Sequence, residues 1–425
     1  MTNSHGNTQS SPPTTPAQPP GNGPLAGVRV LDLTDALAAY AGRLLADLGA
    51  DVIRIESPGG RGEVEIGPFW MRPGERPVSL FERFVNAGKR SVSVDLAAPE
   101  ASEVVAALLS HADVVLESST RRLAEAGWDD ARVNQLNGSL IRVLVTPYGG
   151  EFAGGPVDDL ILLGAGGLLS LGGYPDAGPV AAYGYQSTYM ASIFAAVAAV
   201  AGLIGRQRTN EGLSADVSAQ ECVAQALEES VVGYALTGEV RAPQGDTAKE
   251  AGTGVYRCAD GYISVVAGRL GTAAAWKALV GWISDSDPRL AERLADERWS
   301  QFEYRRRPEA INEFKEIFED FAKSRTRQEL YREAQARGIA LSPVNDLAAV
   351  LEDAQLRSRN FFVPVDDPEL ARTVTYPGLP YRMSVTPLAG PRPAPRRGAD
   401  TVEVLTTLAG LAPEDVECLA ERGVV

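Results

Sequence analysis

"VRVLDLTDALAAYAGRLLADLGADVIRIE", residues 28–56, decides the fold class. A β-branched run (28–34) leads into an Ala- and Leu-rich stretch of helical character (36–50) and then into a second β-branched run (51–56). Strands joined through a helix pair in parallel, because the helix carries the chain back to the starting edge. The rhythm continues outward with "SVSVDL" (91–96), "PEASEVVAALLSHA" (99–112, Pro at a helix start), "DVVLES" (113–118) and "LIRVLVT" (140–146). The expected class is α/β, with a doubly wound parallel sheet. No G-x-G-x-x-G follows the first strand, so dinucleotide binding has no support.

From about residue 226 to 340 the style changes. "GVYRCADGYISVVAG" (254–268) reads as a hairpin turning at Asp260-Gly261, and charged helices such as "PEAINEFKEIFEDFAKS" (308–324) follow. The chain then becomes loop-rich, runs through a Pro-rich segment (364–395) and closes with two helices. We expect a large α/β domain built from 24–225 and 341–425, with a smaller α+β domain (226–340) inserted. Residues 1–23, polar and rich in Pro, Ser and Thr, read as a disordered tail with neither a signal peptide nor an anchor. The Ala-rich run "MASIFAAVAAVAGLIG" (190–205) is short for a bilayer span and reads as a buried helix. No internal repeat is evident.

Composition narrows the function. Of 425 residues, 44% are hydrophobic and 22% charged, as in an ordinary soluble protein. A net charge of −15 argues against nucleic acid and membrane surfaces as partners; a polyanionic small ligand would need a local basic patch. The three cysteines (Cys222, Cys258, Cys418) are far apart, which suits a reducing cytoplasm and offers neither disulfides nor a metal site. The two histidines give little more: His5 lies in the tail, and His111 ends a helix.

"GGPVDDLILLGAGGLLSLGG" (154–173) is the stretch with chemistry in it. Asp158 and Asp159 stand against a long apolar, Gly-rich run. A carboxylate there is either a helix cap or an acid tuned by loss of water. Two adjacent carboxylates also repel, so one should be harder to ionise than the other.

These pieces together resemble the class III CoA-transferases, the family of formyl-CoA transferase, carnitine CoA-transferase and α-methylacyl-CoA racemase. The resemblance lies in "PLAGVRVLDLTDALAAYAGRLLADLGADVIRIESPGG" (24–60), "NAGKRSVSVDL" (86–96), "GRQRTNEGLSADVSAQE" (205–221), "GIALSPVNDLAAVLEDAQLRSRNFF" (338–362) and "YPGLPYRMSVTP" (376–387), in that order. It implies a Rossmann-like large domain, an interlocked homodimer, and acyl-CoA and a small carboxylic acid as substrates. CoA enters as substrate, and no cofactor or metal is implied. By the same resemblance Asp159 is the covalent nucleophile, with Asp158 beside it as an electrostatic or proton-carrying neighbour. The CoA-lining positions would be Ala38, Ser57, Asn86, Lys89, Arg90, Ser118, Arg121, Arg122, Thr146 and Tyr148. Lys89 and Arg90 would reach a phosphate from the start of their strand.

The chain departs from the family pattern at two places. "LESSTRR" (116–122) replaces a Val-Glu-Asn-Phe-Arg-Pro-Gly run, and Val157-Asp158 replaces the Gly-Tyr before the nucleophile. A Gly-rich lid is not visible at 240–272, which argues against formyl-CoA. The racemase branch needs two acid/base groups, and its two positions here read Asp158 and Thr188. A racemase working through Asp158, and a non-catalytic CoA-binding member of the family, stand as the alternatives.

Overall fold

The alternating runs close into one six-stranded sheet. In the computed structural model, which describes residues 23–60, 66–74, 76–118, 121–150, 158–245, 248–268, 273–388 and 390–425, the order of elements begins β1 (Arg29–Leu33), α1 (Ala39–Asp47), β2 (Asp51–Glu56). A short hairpin, β3 (Phe69–Trp70) and β4 (Val78–Ser79), precedes α2 (Leu80–Val85) and β5 (Arg90–Ser93). Then come α3 (Ala101–Ser110), β6 (Val114–Ser118), α4 (Arg122–Glu125), α5 (Asp130–Leu136) and β7 (Ile141–Thr146). The last elements of this sheet unit are α6 (Asp159–Ala165), α7 (Gln186–Thr209) and β8 (Leu213–Ser218). Of the tail expected at 1–23, all but Gly23 lies outside the described residues.

The strand order is β5-β2-β1-β6-β7-β8, every pair parallel. Alternation along β1 explains the two layers. Val30 packs with Val52, Val114, Leu45 of α1 and Ala195 of α7, while Leu31 and Leu33 pack on the other face with Val105 and Leu108 of α3. A parallel sheet covered on both faces needs such continuous apolar strands. The chain's progression reverses between β1 and β6. That is the switch point, where the crevice outside the strands' carboxyl ends takes ligands in open α/β sheets.

Helix α7 is long and apolar enough by length and composition to cross a bilayer, yet it packs on the sheet. Its alanines let it approach closely: a Cβ on Gly202 would stand 2.6 Å from Cγ2 of Ile141 in β7. The run at 190–205 is part of a helix that buries one side against the sheet and leaves the other exposed, where its composition suggested a helix buried throughout.

The chain divides into two compact units, one comprising residues up to 162, 185–223 and 361–425, the other 163–184 and 224–360. The expected insert, 226–340, falls inside the second unit, which reaches further in both directions. One reason is plain: β11 (Ala340–Pro343) is an edge strand of that unit's own sheet, paired antiparallel with β10 (Gly261–Val266), which pairs in turn with β9 (Thr253–Cys258). The β9–β10 turn falls at Ala259-Asp260, one residue before the expected place, since Gly261 already pairs with Cys258. Around this sheet Trp276, Trp282, Trp299, Phe314 and Phe318 form an aromatic core. In the first unit the C-terminal segment adds a hairpin, β12 (Phe362–Asp367) and β13 (Arg372–Pro377). It is also tied to the sheet: Ser91 N donates to Asp400 (2.8 Å) and Asp95 N to the Val424 carbonyl (2.7 Å).

Candidate active site

Parallel strands fix which residues can meet. Leu33, Glu56, Ser118 and Thr146 end their strands on one edge, and the helix N-termini that cross back over the sheet start from that edge. Several CoA-lining residues expected from sequence gather there. Ser118, fully buried, accepts from the Asp35 backbone N–H at 3.0 Å and so links the ends of β6 and β1 at the switch point. Ala38 is the buried residue preceding α1. Ser57 accepts from Nη2 of Arg122 at 3.3 Å, while Nη1 of Arg122 donates to the Ile55 carbonyl at 2.9 Å. Arg121 stays exposed, its backbone in the left-handed region with φ 42°. The Thr146 hydroxyl accepts from Gly149 N at 2.9 Å, shaping the turn after β7, and Tyr148 packs half-buried against the sheet core.

The two aspartates stand in different surroundings. Asp158, exposed, accepts from Leu160 N at 2.9 Å and caps α6. Asp159 is half-buried, and its Oδ1 accepts two hydrogen bonds from Ser187, one from the backbone N–H and one from the hydroxyl, both at 2.7 Å. Ser187 sits in the first turn of α7, whose 24 residues give that end a partial positive charge. The Asp159 carboxylate is thus fixed by one oxygen, and Oδ2 accepts no hydrogen bond from the described residues. Sequence reasoning missed Ser187, because a partner 28 residues away carries no local signal.

Lys89 and Arg90 were expected to reach a phosphate; the structure places both side chains on carboxylates of the fold. The Lys89 ammonium is fully buried and spends its three donors on Asp32 Oδ2 (2.6 Å), the Ala39 carbonyl (2.7 Å) and Asn86 Oδ1 (2.8 Å). In this packing it has no donor left for a phosphate. Arg90 points to the amino edge of the sheet, where it forks onto both oxygens of Asp51 at 2.8 and 2.6 Å. Asn86 is held from both sides, accepting from Lys89 and donating to Glu82 at 2.7 Å.

Burial opposes ionisation of Asp32 and is its largest influence, but the Lys89 charge outweighs it together with Arg54, holding the carboxyl below its usual range. Burial likewise pushes the Lys89 ammonium below its usual range, and Asp32 pulls it back. Gly42 of α1 makes this pair possible. A Cβ there would stand 2.3 Å from Asp32 Oδ2 and 2.9 Å from Lys89 Cε. Gly42→Ala is therefore expected to destabilise the fold by about 1–3 kcal/mol, although alanine favours helices; thermal unfolding measures it.

Among the described residues no group of His, Cys, Asp and Glu is arranged to hold a metal ion. The free cysteines Cys222 and Cys258 are buried, and burial raises the Cys222 thiol to about 11, so it is inert as a nucleophile at neutral pH.

Comparison with known proteins identifies the family. The family model described as CoA-transferase family III matches residues 25–401. The chain is 33% identical to succinyl-CoA:(R)-benzylsuccinate CoA-transferase subunit BbsE of Thauera aromatica, covering 93% of this chain and 97% of that protein. It is 29% identical to the succinyl-CoA–L-malate CoA-transferase beta subunit of Chloroflexus aurantiacus, covering 95% and 98%. A solved structure of a CAIB/BAIF family protein from Brucella suis superposes with a TM-score of 0.77 at 27% identity, over 91% of this chain and all of the other. With a parallel α/β sheet and a family match over residues 25–401, the chain belongs to CoA-transferase family III.

Proposed function

We propose that the protein transfers CoA from a succinyl-CoA-type thioester to a second carboxylic acid, with Asp159 as the covalent carboxylate. One observation carries the assignment to Asp159: its carboxylate is oriented by the first turn of α7 through one oxygen, with the other oxygen unbonded among the described residues. A carboxylate is a weak nucleophile in water, and fixing it beside the exposed apolar side chains of Leu160 and Ile161 limits its hydration once a substrate covers them.

The chemistry balances without a metal or redox group. Asp159 attacks the thioester carbonyl, the C–S bond breaks, and an aspartyl acyl anhydride and CoA thiolate result. The thiolate attacks the aspartyl carbonyl, releasing the donor acid as carboxylate and leaving CoA on Asp159 as a thioester. The acceptor carboxylate attacks that thioester to form a second anhydride. The returning thiolate then takes the new acyl group and frees Asp159. Ser57, Ala38, Ser118, Arg121, Arg122, Thr146 and Tyr148 are the CoA-lining set of this proposal. Ser187→Ala keeps the backbone donor and loses the hydroxyl, so exchange of labelled succinate into succinyl-CoA should fall roughly tenfold.

A second reading concerns the assembly. The two relatives named above are each called a subunit, and α7 exposes Ile193, Phe194, Val197 and Ile204 along one side. Such a patch marks an interaction surface. A homodimer and a pair with a second family chain both cover it, and in the pair the reactive carboxylate can come from the partner. Sedimentation of the chain alone decides: a stable dimer supports the first, a monomer the second. In either assembly, a purified chain that neither binds CoA nor supports exchange would overturn the transferase assignment.

A further inference from the structure

One cavity of about 430 Å³ in the first unit is built for negative charge. Arg54, Arg76, Arg83 and Arg397 line it, against two lining carboxylates among the described residues, Glu56 and Glu82. The chain as a whole carries −15, so four guanidinium groups around one cavity run against its average. We propose that this cavity binds a phosphate-bearing anion.

The inner pair of arginines is fixed in place. Arg54 has a side-chain exposure of 5%, with Nε 3.3 Å from Glu56 and Nη2 3.8 Å from Glu82. Arg83, at 8%, donates through Nε to Asp367 at 2.9 Å and through Nη1 to the Pro395 carbonyl at 3.2 Å. Its Nη2 also lies 2.9 Å from Asp367, but off the direction a hydrogen bond requires, and has no hydrogen-bond partner in the buried interior. Arg83 therefore contributes a buried positive charge at the cavity wall, partly offset by Asp367.

The other two arginines are less buried. Arg76 is exposed, and Arg397 has a side-chain exposure of 43% with Nε 3.8 Å from Glu56. Gly60 admits the Arg397 head group: a Cβ at Gly60 would stand 2.1 Å from its Nη1. Four arginines around one cavity suit a tetrahedral anion, because the planar guanidinium fork matches phosphate oxygens pairwise. The cavity touches the expected CoA-lining set only at Asn86. The phosphate can belong to the nucleotide end of CoA, which rests on the function proposed above, or to a free phosphate compound.

Calorimetry on the full chain at low ionic strength tests this with inorganic pyrophosphate, adenosine 3′,5′-bisphosphate and CoA. Wild-type protein should bind pyrophosphate, with affinity falling as salt rises. The double variant Arg76→Gln, Arg397→Gln should bind it at least tenfold more weakly, with an unchanged circular dichroism melt. Gly60→Ala, which displaces the Arg397 head group without removing charge, should weaken it too. An equal loss for CoA and the bisphosphate identifies CoA as the source; an unchanged CoA affinity identifies a separate anion. Pyrophosphate that does not bind, or binds the variants as well as wild type, overturns the proposal even where CoA binds. Pyrophosphate binding without CoA binding leaves the cavity assigned and removes the CoA reading instead.

Discussion

Asp159→Asn is expected to lower CoA exchange at least about a thousandfold, the scale on which an enzyme loses rate when its covalent nucleophile is removed. The substitution is close to isosteric, and its amide oxygen can still accept from Ser187 N and Oγ, which hold the native carboxylate at 2.7 Å. The fold should therefore survive, and the loss reports chemistry. The readout is incorporation of labelled succinate into succinyl-CoA by mass spectrometry. A second readout isolates the intermediate: borohydride added during turnover should reduce an aspartyl-CoA thioester and place homoserine at position 159. Asp158→Ala provides the contrast. Its carboxylate caps α6 through Leu160 N, so most exchange activity should remain. Full exchange in Asp159→Asn would remove this residue as nucleophile and move the reactive group to another residue of this chain.

The parallel sheet was legible because its signal is local. Residues 51–56 alone carry enough β-branched character to mark β2, and each helix between strands declares itself by period and length. Ser57, Ser118 and Thr146 were named from the family resemblance, and the topology places them at or just after the carboxyl ends of their strands. The fate of Lys89 could not. Its position at the start of a strand is compatible with a solvent-facing cation, and only the three-dimensional placement of Asp32, 57 residues earlier, turns it inward. Gly42 carries the missing clue, since a glycine inside an Ala- and Leu-rich helix asks what approaches it. Ser187, Arg76 and Arg397 were missed for a related reason: each acts through a partner or a cavity wall brought close by the fold. Residues 340–343 form β11 through pairing with β10 almost eighty residues earlier, a long-range contact that carries no local signal.

Lys89→Met should destabilise the protein by about 3–5 kcal/mol, because methionine fills the stem's volume but leaves the Asp32 charge buried without its partner. Acid titration separates this from a simple packing loss. In wild type the Asp32 carboxyl is held below its ordinary range in the folded state, so the pair's contribution is present above the unfolded value of about 3.9 and is lost as pH falls through the folded one. In Lys89→Met the largest remaining influence on Asp32 is burial, which raises its folded value above the unfolded one. The sign then reverses: the variant gains stability as pH falls toward the folded value and Asp32 takes up a proton. Denaturant melts of both proteins between pH 7 and about pH 5 should therefore converge. Adding Asp32→Asn to Lys89→Met should recover much of the loss at pH 7, since it removes the uncompensated charge that acid would neutralise. If the gap stays constant with pH and the double variant recovers nothing, the loss is one of packing and Lys89 is not holding a charge in the core. If instead Lys89→Met melts like wild type, the ammonium faces solvent, and its expected contact with a CoA phosphate returns.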